Sequence, residues 1–140
     1  NDIYYKNKKV AGILVENIVK YKNIQKSIIG FGINVNQKQF PISNVVSIFN
    51  IKLIKLNKNK LLKSILIEFE KNYKLLKNKE YETLFFNYSN NMFMLNQIVV
   101  CRENIKNKGI LKGITNFGKL LIKINDDYKE FSVGNFHLTR

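Results

Sequence analysis

The chain has 140 residues, a formal net charge of +14, 45% hydrophobic residues and 12% aromatics, enough for one domain or one and a half small ones with a packed core. No apolar run approaches the roughly 20 residues that cross a membrane, and the start lacks a basic segment followed by an apolar stretch, so neither a spanning helix nor a signal peptide is expected. The single cysteine, Cys101, excludes an internal disulfide and fits a reducing, cytoplasmic setting.

Lys9 to Val15 and Ser27 to Val35 are rich in β-branched and aliphatic residues and read as neighbouring antiparallel strands, with a polar turn around Lys20 to Lys26. Neither run alternates cleanly, so both faces are expected to be covered. Asn36 to Pro41 is a loop, ended by the only proline. Val45 to Phe49 fits either a short helix or a strand. From Lys60 to Leu76 the residues Leu61, Leu62, Ile65, Leu66, Phe69, Tyr73 and Leu76 recur at intervals of three and four, which predicts a helix with Asn57 or Asn59 as N-cap. A second helix is predicted over Glu80 to Tyr88, with Tyr81, Leu84, Phe85 and Tyr88 on one face. These apolar and aromatic stripes are expected to be core.

After a connector at Asn90 to Asn96 the texture changes. Gln97 to Arg102, Gly109 to Thr115, Lys119 to Ile124 and Tyr128 to Val133 read as short strands. Asn116-Phe117-Gly118 and Asn125-Asp126-Asp127 supply tight turns, and the set suggests a small β-barrel. Cys101, within an apolar run, reads as a buried thiol, and the lone His137 reads as structural. Asn87-Tyr88-Ser89 matches a glycosylation sequon by chance.

The lysines are scattered, and the chain is rich in Lys, Asn, Ile, Tyr and Phe, residues with AT-rich codons. That bias explains the charge without a nucleic-acid site, so nucleic acid is not the favoured partner. The rival reading is a non-enzymatic nucleic-acid-binding barrel, with Phe117, Phe131 and Phe136 stacking bases or else filling the barrel core.

Three motifs carry chemistry. Asn1-Asp2 opens the chain, Lys9-Val10-Ala11-Gly12-Ile13-Leu14 follows, and Gly30-Phe31-Gly32-Ile33-Asn34 comes after it. Glycines in a strand let a ligand ring lie against the backbone, or else mark a bulge or close strand packing. Val35 stands where a dinucleotide fingerprint needs its third glycine, which excludes that motif.

In order and spacing these motifs resemble those of biotin protein ligases: the end of a Trp-Pro-Asn-Asp motif, a Lys-x-x-Gly-Ile-Leu strand and a Gly-x-Gly-Ile-Asn strand. The resemblance implies an α+β fold. Residues 1–95 would be the trailing part of a synthetase-like mixed sheet with helices, the C-terminal part of the catalytic domain, and residues 96–140 an SH3-like barrel. It implies ATP-dependent activation of biotin to biotinoyl-AMP, with Mg²⁺ arriving with ATP and no metal site in the chain. The biotinoyl group would then pass to a lysine of a partner, the biotin carboxyl carrier protein of acetyl-CoA carboxylase. It assigns Lys9 and Asp2 to catalysis, Lys9, Gly30 and Gly32 to biotin, and Asn1 and Asn34 to ATP. In some members the catalytic sheet pairs edge to edge into a homodimer, and no membrane partner is implied.

Lys8 serves as the solvated control beside Lys9. Lipoate ligases share the catalytic fold, but the Lys9 strand, the Gly-Ile-Asn motif and the terminal barrel favour biotin. The family's Gly-Arg-Gly-Arg loop is not in this sequence, so the chain is expected to hold part of the site and not to adenylate biotin alone.

Overall fold

The computed structural model describes residues 1–101, 108–133 and 136–137. By contacts the chain divides into two compact units, Asn1–Phe69 and Glu70–Arg140.

The first unit is built on three strands, β1 (Asp2–Tyr5), β2 (Lys8–Lys20) and β3 (Asn23–Ile33), antiparallel in the order β1-β2-β3. The two-residue turn between β2 and β3 is Tyr21-Lys22, both with positive φ. That is the backbone of the turn that suits twisted hairpins, normally given to Asn or Gly. The reversal expected around Lys20 to Lys26 falls there but takes only two residues: most of that stretch is strand, and an unusual pair of residues makes the turn. β1 is an added strand that its short, polar-flanked sequence did not announce.

Beyond β3 the chain folds back. Asn36 uses its side-chain amide like a strand residue: Nδ2–H donates to the Leu56 carbonyl and Oδ1 accepts from the Leu56 N–H, both at 2.9 Å. α1 (Ile48–Lys52) settles the ambiguity of Val45 to Phe49 for its second half. The deciding element is Ser47, fully buried, whose Oγ accepts from the Asn50 N–H while Asn50 Oδ1 accepts from the Ser47 N–H. This reciprocal cap fixes the start of a helix too short to hold itself. α2 (Lys58–Lys77) opens on Asn57, whose Oδ1 accepts from the Lys60 N–H. The division between the units falls within α2.

The second unit holds the end of α2, α3 (Tyr81–Asn90), and a five-stranded antiparallel sheet. Its strands are β4 (Ile98–Cys101), β5 (Lys108–Ile114), β6 (Leu120–Ile124), β7 (Asp127–Phe131) and β8 (Phe136–His137), in the order β7-β6-β5-β4-β8. Alternation along β5 and β6 sends Leu111 and Ile122 to one face, where they meet Val99 and Met94 in a buried cluster. Burial of each such side chain contributes about 1.5–3 kcal/mol. Among the described residues the sheet is open: β7 and β8 form its two edges and do not pair with each other. The expected fold class therefore holds as α+β with two antiparallel sheets, while barrel closure is not seen. Arg102 and Leu138 lie outside the described residues, as do the side chains of Cys101, Phe136 and His137.

The apolar stripes of the helices depart from expectation. Leu62, Leu66, Phe69, Tyr73 and Leu76 on α2 stay exposed, as do Tyr81, Phe85 and Tyr88 on α3. The periodicity was right for helix. Burial needs a second surface, and among the described residues these stripes keep much of their area in solvent.

Candidate functional site

The chemistry-bearing residues gather where β1, β2 and β3 lie side by side. Asp2 faces Gly12 across β1 and β2, and Gly12 faces Gly32 across β2 and β3. Two residues further along, Leu14 faces Gly30. Directly opposed residues share a face of a sheet, so Asp2, Gly12, Gly32 and Gly30 lie on one face with Leu14 among them.

Strict alternation would keep Lys9 off this face, since it lies three residues before Gly12. A bulge changes that. The pairing steps from Ile3 opposite Ala11 to Tyr4 opposite Lys9, leaving Val10 as an extra residue in β2. The bulge re-aims the side chain before it, a common use of bulges beside functional sites. Lys9 Nζ then reaches Asp2 Oδ1 at 2.7 Å. Both atoms lie 3.5 Å from where a Cβ on Gly12 would stand, so the ion pair sits directly over that glycine.

The Lys9 backbone is fixed as firmly as its side chain. Its N–H donates to the Asn44 carbonyl and its carbonyl accepts from the Val46 N–H, both at 2.9 Å. This is a single parallel bridge to Val45 in an otherwise antiparallel sheet, rather than the mixed sheet expected. The Asn34 N–H donates to the Val10 carbonyl at 2.9 Å, and the Asn34 carbonyl accepts from the Ile48 N–H at 2.9 Å. Asn34 thus joins the bulge to the capped helix α1. It follows directly on the last residue of β3, Ile33. Asn1 is joined through its backbone, its carbonyl accepting from the Ile13 N–H at 2.7 Å. Lys8 pairs with Tyr5 and belongs to the opposite face.

The glycines are not demanded by the backbone. A Cβ on Gly32 would meet nothing within 4 Å, and one on Gly30 only the Leu14 carbonyl at 4.0 Å. Neither residue has a positive φ, and no register shift falls between them. The bulge and close-packing explanations therefore fail at these two positions. What remains is a flat, open stretch of backbone beside a lysine and a carboxylate. Gly12 belongs to the same surface. The signal for it was its place opposite the Gly-x-Gly motif, which required the register.

The Lys9–Asp2 pair is weak by position. Both side chains are about a third or more exposed, at 41% and 31%, and such pairs contribute about 0–1 kcal/mol. An anionic group arriving over Gly12 could take the ammonium from Asp2 at little cost. Among the described residues no three Asp, Glu, His or Cys side chains come together to hold a metal ion. No helix among the described residues is long and apolar enough to cross a membrane. In the second unit, Phe117 is exposed at the turn between β5 and β6, whereas Phe131 packs half-buried against the sheet core. Lys119 and Lys123 there lie 3.4 and 3.6 Å from Glu130 and Asp126.

No protein-family model and no curated protein matches the chain. Solved structures do. The chain is similar to apo biotin protein ligase from Aquifex aeolicus, with a TM-score of 0.81 and 30% identity over 100% of this chain and 62% of that one. A second structure of that ligase gives a TM-score of 0.83 and 30% identity over 99% and 63%. The same ligase in complex with biotin and ATP gives 0.77 and 28% over 100% and 60%. The chain spans less than two thirds of the length of these structures. Over its whole length, in fold and in sequence, this chain resembles the C-terminal portion of biotin protein ligases.

Proposed function

We propose that the chain supplies part of the site of a biotin protein ligase, which activates biotin with ATP and transfers it to a lysine of a biotin carboxyl carrier protein. The observation that carries this reading is the bulge in β2, which sets Lys9 on the glycine face and against Asp2. The similarity to a ligase solved with biotin and ATP supports the choice of ligands.

In this reading the biotin ring system lies on the strip of Gly12, Gly30 and Gly32, where no Cβ interrupts the surface. The biotin carboxylate attacks the α-phosphorus of ATP, and pyrophosphate leaves. Two negative groups must meet for that, and the Lys9 ammonium stabilises the charge that grows on the phosphate oxygens. Asn34 and Asn1 offer amides that can both donate to and accept from the adenine. In the second step the carrier amine attacks the biotinoyl carbonyl and AMP leaves. Asp2, released from Lys9, is placed to take the proton from that amine or to meet the Mg²⁺ that accompanies ATP.

The same proposal takes residues 1–95 as the end of the catalytic domain and 96–140 as an SH3-like barrel, of which the five-stranded sheet is the described part. A cytoplasmic setting and a homodimer belong to it as well.

The test is affinity for biotinoyl-AMP, measured by calorimetry on the wild type, Lys9→Ala and Lys8→Ala. Loss of a charged hydrogen bond costs about 1.5–3 kcal/mol, so Lys9→Ala should weaken binding by about tenfold or more. Lys8→Ala should stay within about twofold, because its side chain is on the other face. Equal losses from the two variants, or no binding by the wild type, would overturn the reading.

A further inference from the structure

Lys9 cannot place its own ammonium. The group ends a flexible four-carbon stem, and its pairing with Asp2 contributes little at such exposure. The stem starts at the bulge, where a slip of one residue would turn the side chain to the other face of the sheet. Backbone hydrogen bonds close a circuit around that bulge. In one arm, segment 44–46 holds Lys9 by both its N–H and its carbonyl. In the other, the Val10 carbonyl accepts from the Asn34 N–H, and the carbonyls of Asn34 and Val35 accept from the N–H groups of Ile48 and Phe49 in α1. Ser47 joins the two arms, following Val46 and preceding Ile48. Among the described residues it is the one fully buried polar side chain. Its Oγ donates to the Gln37 carbonyl and accepts from the Asn50 N–H. A five-residue helix does not hold itself, so the first turn of α1 stays in place only while this cap is made.

We propose that Ser47 is a positioning residue for Lys9: by capping α1 it closes the circuit around the bulge and keeps the ammonium over Gly12. Ser47 is buried and does not meet a ligand itself; it acts through the backbone of Lys9 and Val10. That the ammonium then serves biotinoyl-AMP rests on the ligase reading, whereas the positioning is a property of the chain without ligand.

The experiment begins with the full chain and no ligand. Lys9 Cε lies 3.5 Å from where a Cβ on Gly12 would stand. A nuclear Overhauser contact between the Lys9 ε-methylene and the Gly12 α-protons therefore reports the lysine on the glycine face. Ser47→Ala should lose that contact and speed exchange of the Lys9 amide about tenfold or more. Asn57→Ala strips the cap of α2 in the same unit, lowers stability as well, and should leave both signals as in the wild type. Should Ser47→Ala fail to fold, Asn50→Ala at its exposed position removes the other half of the cap and should show the same changes. A contact retained in the folded cap variant, or lost as fully in Asn57→Ala, would overturn the proposal. Calorimetry with biotinoyl-AMP gives the second readout. Ser47→Ala should weaken binding about fivefold by misaligning a hydrogen bond. In a Lys9→Ala background it should change binding by less than about 1.5-fold, since a residue acting through another is not additive with it. Equal losses in the two backgrounds would also overturn the proposal. A wild type that does not bind biotinoyl-AMP sinks the ligase reading alone, and the Overhauser contact still decides the positioning.

Discussion

Gly12 and Gly32 stand opposite each other on β2 and β3, and neither is a glycine for the sake of its own backbone. A side chain at Gly32 would enter open space. Gly32→Val should therefore leave the melting temperature within about 2 °C of wild type, since surface changes stay near ±0.5 kcal/mol. The same variant should abolish measurable binding of biotinoyl-AMP, because the branched side chain would stand where the proposed site lays the ligand ring. Thermal melts and calorimetry on one preparation check both halves.

Gly109 makes the opposite case. A Cβ there would come within 2.8 Å of the Lys123 carbonyl and press on Ile122 and Ile124. Backbone cannot yield as a flexible side chain can, so Gly109→Ala should destabilise the second unit by about 1–3 kcal/mol. Urea unfolding should show a lower midpoint with the same slope.

Asp2→Asn removes the partner of Lys9 at a half-exposed position. The stability change should be below about 1 kcal/mol. The freed ammonium should bind inorganic pyrophosphate or ATP at least as tightly as before, while transfer to an amine slows. Binding isotherms for ATP, set against aminolysis of preformed biotinoyl-AMP by hydroxylamine, separate the two effects.

Ser47 is fully buried, donates to the Gln37 carbonyl and caps α1. Ser47→Ala should cost about 1–2 kcal/mol through the lost cap and the unpaired carbonyl. Asn36→Ala, which strips both backbone partners from Leu56, should cost a similar amount. Denaturant titration of each variant gives the comparison.

The sequence by itself determined α2 and α3, the strands β4 to β7 and the presence of Lys9, Gly30 and Gly32 in two strands, while β3 ends at Ile33, one residue before Asn34. These follow from local periodicity and residue type, which act within a few neighbours along the chain. It did not determine the Tyr21-Lys22 turn, since residues that rarely take positive φ were held there by the pairing of two long strands. It did not show that α2 and α3 would leave their stripes exposed, because burial depends on a second surface brought from elsewhere. Nor could alternation place Lys9 beside Asp2. Only the register across three strands, shifted by one residue at Val10, turned the lysine onto the glycine face. A bulge is a relation between strands, and spacing along one strand cannot contain it.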